Sequence, residues 1–251
     1  MAKVAISTES NKERRPKVNA RPFCADIDGE SSVHNLLTPS EQAELARIAT
    51  VLEYRASNTT IFSEDEDAHF IYVIDKGIVR ITRHSEQGDR QVMAFLWPGD
   101  LFGLAESGHY VNTAETLTPA TLFRFPLQRL QNLMQHETQL QLHLLVKAAH
   151  ALRAAQRQII VLGRQDSNSR IASFLLDLSH HVAFHDNAPT NLRLPMSRVD
   201  IADYLGISSE TVTRALSKLE QDGLITRLSP RSLRIDDLVG LTNLAHGRRP
   251  R

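Results

Sequence analysis

Between Pro126 and Gly163 the chain runs for 36 residues without a proline or a glycine. Nothing in that stretch forces a break, so it predicts one helix roughly 54 Å long at ~1.5 Å per residue. Within it Leu142, Leu145, Ala149, Leu152, Gln156 and Ile159 follow one another in steps of three and four. That is an a/d seam, with Gln156 as the single polar member of the kind that fixes register. A β-domain of ordinary size cannot cover a helix of this length. The seam is therefore expected to meet a second copy of the chain, the alternative being burial within its own fold. His143 and His150 share a heptad position beside the seam and read as solvated or interfacial rather than as metal ligands.

The texture differs on either side of this helix. Residues 1–33 are charged, interrupted by proline and without hydrophobic period, and read as a flexible tail. Thr38-Pro39-Ser40-Glu41 is a helix opening, followed by Leu45, Ile48, Ala49 and Leu52 at helical spacing. From Tyr54 to Pro126 short β-type runs alternate with turn residues: Phe70–Ile74, Ile78–Arg83 and Gln91–Trp97 are separated by Asp75-Lys76-Gly77 and Ser85–Asp89. Strands this short and regular predict an antiparallel sandwich or barrel rather than a parallel sheet with crossover helices. The domains expected are therefore 34–126, β-rich; 127–163, the long helix; and 164–251, helical with a hairpin at Leu224–Ile235. The class is α+β.

Composition narrows the function. A hydrophobic share of 41% and a charged share of 23% are those of a folded globular chain. No apolar run approaches the ~18 residues of a membrane span, and the polar, basic N-terminus lacks the apolar centre of a secretory signal. A cytoplasmic protein is expected. The single cysteine, Cys24, excludes an internal disulfide framework and any multi-cysteine metal cage. The 29 basic and 29 acidic side chains cancel overall, yet the first 126 residues sum to −5 and the last 125 to +5. The asymmetry hints at a polyanion partner for the C-terminal half.

The stretch SRVDIADYLGISSETVTRALSKLEQDG, Ser197 to Gly223, carries the most chemistry. Ser197 with Asp200 three residues later makes a capping-box pattern. Gly206 can take the left-handed conformation that ends the first helix, and Ser208 or Ser209 can cap a second. Ala202 is small where the helices must approach, and Ile201, Leu205, Ile207, Val212, Ala215, Leu216 and Leu219 supply their contact. This is the spacing of a helix-turn-helix. On the other face Glu210, Thr213, Arg214 and Ser217 project together at i, i+3, i+4 and i+7. They start at the N-terminal end, the part of a recognition helix that meets base edges in the major groove. Glutamate can accept from cytosine N4, arginine can fork to guanine O6 and N7, and threonine can meet a thymine methyl. Lys218, Arg227, Arg231 and Arg234 are expected to serve phosphates.

With these motifs the chain resembles the Crp/Fnr family of bacterial transcription regulators over about residues 34–240. The segments that carry the likeness are YLGISSETVTRALSKLEQDGLI and WPGDLFGL. The resemblance implies a cyclic-nucleotide-binding-like β-roll (a jelly roll), a long dimerisation helix and a winged helix-turn-helix. It also implies a homodimer on a double-stranded DNA palindrome, with RNA polymerase as a further partner. In the Fnr and FixK branches the recognition helix reads Glu-x-x-Ser-Arg and half-sites of the TTGAT type. Here Thr213 stands for the serine and keeps the hydroxyl, while Ser209 stands where the cyclic-AMP branch has arginine. The expected site is TTGAT-N4-ATCAA or a close variant.

The sensory half departs from the family's known inputs. Where cyclic-nucleotide members hold ribose and phosphate with Gly-Glu-Leu and Arg-x-Ala, this chain has Gly103-Leu104-Ala105 and Asn112-Thr113-Ala114. A buried anion without its arginine is costly, which argues against cyclic AMP. Cys24 alone cannot hold the four-cysteine iron–sulfur cluster of oxygen-sensing Fnr proteins. Loss of both resembles the FixK group, whose members often work without a dedicated ligand and mostly activate genes of low-oxygen respiration or denitrification. Haem or nitric-oxide sensing stays open through His34, His69, His84 and His109. His180, His181 and His185 have metal-like spacing but read as surface histidines. A cupin-like metal enzyme is the remaining alternative, and residues 54–126 lack the His-x-His it would need.

Overall fold

The computed structural model describes residues 4–6, 14–20, 34–105, 107–181 and 190–247. The chain forms two compact units: Met1–Gly88 with Met93–Arg153, and Asp89–Val92 with Ala154–Arg251, the second changeover falling inside a long helix. The strands up to Pro126 are β1 (Val4–Ile6), β2 (Asn19–Ala20), β3 (His34–Asn35), β4 (Thr50–Tyr54), β5 (Thr60–Phe62), β6 (Phe70–Lys76), β7 (Val79–His84), β8 (Arg90–Leu96), β9 (Leu101–Phe102), β10 (Thr113–Thr116) and β11 (Ala120–Pro126), all in the first unit except the start of β8. They build one sheet in the order β1-β4-β11-β6-β9 and another in the order β5-β10-β7-β8, and the registered pairs of both are antiparallel. Helix α1 (Pro39–Ile48) precedes β4, and α2 (Leu127–His136) and α3 (Thr138–Arg164) follow β11.

The five-stranded sheet is buried on both faces, which is why its central strands read as unbroken apolar runs. Successive side chains point to opposite faces. Tyr72 and Ile74 of β6 and Leu122 of β11 turn into the space with Phe62, Phe102 and Tyr110. Ile71 and Val73 of β6 and Phe123 and Phe125 of β11 turn the other way, against Leu45 of α1, Leu130 of α2 and Leu140 of α3. Helix α1 begins with the expected capping box: Thr38 Oγ1 accepts from Glu41 N, and Glu41 Oε2 accepts from Thr38 N at 2.7 Å. Leu52, expected on that helix, lies instead in β4, where its backbone pairs with Leu122.

Two further expectations are corrected. Residues 1–33 do not form a tail throughout. Val4–Ile6 add a strand to the β4 edge, Asn19–Ala20 pair with His34–Asn35, and Val18 is 1% exposed in the core. An open edge of unpaired N–H and C=O groups is a template for such a strand. Cys24 lies outside the described residues. The stretch 127–163 is not a single helix either, because it breaks at Glu137, which closes α2 with its N–H on Leu133 O. Gln141 Nε2 donates to Met134 O at 2.5 Å across the break. Burial overrides the missing breaker residue. Leu130 and Leu140 both enter the same core cluster, whereas in a straight helix they would stand ~15 Å apart and ~80° out of line.

Past that break α3 divides its faces. Leu140 is fully buried, and two side chains tie the helix to the first unit: Lys147 Nζ to Asp100 Oδ1 at 2.5 Å, and His143 Nδ1 to Glu41 Oε1 at 3.1 Å. His143 is thus a half-buried partner of Glu41, not a solvated side chain. The seam residues stand on the open side: Leu142, Leu145, Leu152 and Ile159 are 51–69% exposed, Gln156 is exposed and Ala149 half-buried.

In the second unit α4 (Ser167–Ser179), β12 (Asn191–Arg193), α5 (Arg198–Leu205), α6 (Ser209–Gln221), β13 (Ile225–Ser229), β14 (Ser232–Ile235) and α7 (Leu238–Ala245) follow α3. Helix α4 packs against α6 and α7 and buries Ile171, Phe174, Leu175 and Leu178, while β12-β14-β13 form a small antiparallel sheet. No helix among the described residues is long and apolar enough to cross a membrane. The turn at Gly77 gives a test. Gly77 has φ +90°, and a Cβ there would collide with Pro119 O and with Ala120 Cα at 2.7 Å. Gly77→Ala should cost about 1–3 kcal/mol, read as a lower midpoint in thermal unfolding. An unchanged midpoint would mean that the turn relaxes freely.

Candidate nucleic-acid interface

The second unit places two helices around a turn built from local chemistry. Ser197 Oγ accepts from Asp200 N at 3.0 Å and Asp200 Oδ2 accepts from Ser197 N at 3.0 Å, closing the capping box at the start of α5. Gly206 ends that helix at φ 61°, ψ 42°, a left-handed conformation that costs a residue with a Cβ. Ser208 is the N-cap of α6, accepting from Thr211 N at 3.2 Å. Ile201, Ala202, Leu205, Val212, Ala215, Leu216 and Leu219 are all buried, and Ile207 is half-buried.

The opposite face of α6 is open. Glu210, Thr213, Arg214 and Lys218 are exposed or half-buried, as is Ser217. The Thr213 hydroxyl donates to Ser209 O at 3.0 Å, so its donor is spent on its own helix and its methyl and oxygen lone pairs are what it can offer a partner. Backbone N–H and the Ser208 hydroxyl at the helix N-terminus hold the Glu210 carboxyl below the usual carboxylate range, so it is an ionised acceptor. Thr211, which the sequence pattern does not single out, lies between Ser208 and Arg214. Its Oγ1 is 3.0 Å from Ser208 Oγ and accepts from Arg214 Nη2 at 3.3 Å.

The flanking cations are less free than their sequence suggests. Lys218 Nζ meets Asp222 Oδ1 at 2.8 Å, Arg227 Nε meets Glu220 Oε2 at 2.7 Å, and Arg234 Nε meets Asp236 Oδ1 at 2.6 Å. The Arg227 contact holds the Glu220 carboxyl below its ordinary range. Thr226 first, and then Arg234, does the same for Asp236. Among these four residues only the Arg231 guanidinium meets no side chain of the described residues. Arg198, also absent from the sequence pattern, donates to Pro230 O at 3.2 Å and so joins α5 to the turn between β13 and β14. Burial, and then Arg227 nearby, lowers its pKa.

In the first unit the positions that would face a cyclic nucleotide carry other side chains. Leu104 is 58% exposed and Asn112 half-buried, while Phe62, Tyr72, Phe102 and Tyr110 pack ring on ring inside the roll. The Phe62 and Tyr110 rings stack at 3.7 Å between centroids and those of Tyr72 and Phe102 at 5.3 Å, and the Tyr110 hydroxyl donates to Phe70 O at 2.8 Å. His69, His84 and His109 are exposed, with His69 and His109 both beside Asp67. No group of three metal-type side chains that could hold an ion occurs among the described residues. His185 lies outside them. His181, expected at the surface, is 6% exposed and lies just past His180, the C-cap of α4, with its N–H on Leu178 O.

A β-roll followed by a long helix and a helix-turn-helix with a three-stranded wing is the architecture of a DNA-binding transcription regulator. Family models bear on both parts: residues 52–137 match the cyclic nucleotide-binding domain and residues 169–244 the Crp-like helix-turn-helix domain. The chain is 32% identical to the transcriptional activatory protein AadR of Rhodopseudomonas palustris, over 80% of this chain and 83% of that one. It is 36% identical to the nitrogen fixation regulation protein FixK of Azorhizobium caulinodans, over 75% and 77% respectively. The solved structure of FixK2 from Bradyrhizobium japonicum superposes with a TM-score of 0.73 at 34% identity, covering 78% of this chain and 97% of that one. The chain belongs to the Crp/Fnr family of transcription regulators, near its FixK branch. It is a regulator, not an enzyme, and the cupin-like reading falls.

The cap of α6 is testable by itself. Ser208→Ala should destabilise the second unit by about 1 kcal/mol in urea unfolding, since it leaves one N-terminal N–H without its acceptor. An unaltered midpoint would show that water replaces the hydroxyl at no cost.

Proposed function

We propose that the protein is a homodimeric activator that reads a palindrome of the TTGAT-N4-ATCAA type through Glu210, Thr213 and Arg214 of α6. The observation that carries this reading is the open polar face of α6, with an ionised acceptor, a threonine methyl and an arginine fork one turn apart. Glu210 takes cytosine N4 of the G·C pair, Arg214 the paired guanine or the adjacent phosphate, and Thr213 a thymine methyl. The exposed stripe Leu142, Leu145, Ala149, Leu152, Gln156 and Ile159 on α3 supports dimerisation, because burying each of its large apolar side chains contributes about 1.5–3 kcal/mol. The activatory name of the AadR relative and the nitrogen-fixation role named for FixK support activation of nitrogen-linked genes; low-oxygen control and RNA polymerase as partner are what the family resemblance implies. A DNA partner supports a cytoplasmic location. Leu104, Asn112 and the ring-filled roll favour action without cyclic AMP.

Replacing Leu145 and Leu152 together by glutamate should give monomers with folded units. A dimer that survives in sedimentation would overturn the seam. Specificity is tested by comparing binding to the consensus and to a site with the G·C pair inverted, at two salt concentrations. Arg214→Ala should lose about 1–3 kcal/mol per half-site on the consensus and flatten that discrimination. Arg231→Ala, as a phosphate contact, should weaken both sites alike and reduce the salt slope by about one. Equal losses on both sites for Arg214→Ala would assign that arginine to positioning instead of reading.

A further inference from the structure

Arg170 of α4 has an unusual set of partners. Its Nη2 donates to Leu162 O at 2.8 Å and its Nε to Gln165 O at 3.0 Å, while Nη1 donates to Leu205 O at 2.9 Å and Gly206 O at 3.4 Å. All four of these acceptors are backbone carbonyls. They come from the end of α3 and from the end of α5, and the last carbonyls of a helix have no partner within it. A guanidinium at two helix C-termini also meets the negative ends of both dipoles. Its rigid planar fork reaches several acceptors at fixed angles, which a flexible ammonium does not. Gln158, on the last turns of α3, adds a bond from Nε2 to Tyr204 O at 2.9 Å.

The place of this clamp matters more than its strength. Gly206 is the turn residue shortly before the cap of α6, so whatever fixes Leu205 and Gly206 to α3 also fixes the direction in which α6 leaves. We propose that Arg170 is a positioning residue that locks the reading head to the dimer helix and thereby sets which half-site spacing the protein accepts, with Gln158 as its auxiliary. This rests on the reading above of a homodimer on a palindrome. On B-DNA one added base pair shifts a half-site by ~3.4 Å and turns it by ~35°. A rigid head cannot follow that displacement and a loosened one can.

The experiment uses the full chain and labelled duplexes in which TTGAT and ATCAA are separated by three, four, five or six base pairs, with a single half-site as reference. Wild type should prefer its best spacer by roughly 100-fold, because avidity is lost when geometry forbids both heads to engage. In Arg170→Gln that preference should fall to within about fivefold, while dimerisation and discrimination against an inverted G·C pair persist. Gln158→Ala should flatten the profile in the same direction but less, and it decides the matter should Arg170→Gln lose its helical circular dichroism. A spacing profile unchanged in the folded variants would overturn the proposal and leave Arg170 as a stabilising residue only. A wild type indifferent to spacing would overturn the palindrome reading and the clamp's role with it, and the wild-type series alone reveals that case.

Discussion

The first unit depends on one demand, that the five-stranded sheet be covered on both faces. One face is covered by the second sheet and its aromatic rings, the other by α1, α2 and the start of α3. The second covering is what bends the chain at Glu137. It also decides which part of α3 is consumed by the fold: Leu140 is spent inward, so the stripe that begins at Leu142 remains open. The exposed seam is thus a consequence of how the sheet is covered.

In the second unit hydrogen bonds at helix ends set the direction of α6. Ser197, Asp200, Gly206 and Ser208 satisfy or redirect helix ends, and Arg170 takes up carbonyls that would otherwise have no partner. Apolar packing then holds one face of α6 and leaves the other polar and open. The division of labour is clean. Residues that fix the helix use buried or capping contacts, and Glu210, Thr213 and Arg214 of its other face are exposed.

Legibility in the sequence follows the range of the interaction. Caps, the left-handed glycine and the apolar periodicity of α5 and α6 act within a few residues, so the amino-acid order alone displays the motif. The longer β-type runs, β6, β7 and β8, are equally plain, since each carries its pattern in its own composition. The break at Glu137 is not legible, because it answers to Leu130 and Leu140 sharing one core and not to any breaker residue. The strand at Val4–Ile6, hidden in a charged segment, answers to an open edge presented by β4, far along the chain. Within the site, Glu210, Thr213 and Arg214 are visible by spacing. Thr211, Arg198 and Arg170 are not, because each acts through a carbonyl or hydroxyl whose position only the fold decides. The pairing of Lys218, Arg227 and Arg234 is half visible: the acidic neighbours stand close in sequence, but their geometry does not show there.

Those pairings bear on how the protein behaves among the vast excess of wrong DNA. Sequence-independent affinity comes from cations offered to phosphates with release of condensed counterions. Three cations here already hold a carboxylate of their own: Lys218 holds Asp222, Arg227 holds Glu220 and Arg234 holds Asp236, so any phosphate they serve would have to displace it. If these cations serve phosphates as expected from the sequence, such pairing shortens the stay on anonymous DNA relative to a site that α6 reads. On that reading the carboxylates would act as internal competitors and raise the ratio of specific to non-specific binding, on which finding a rare site in a genome depends.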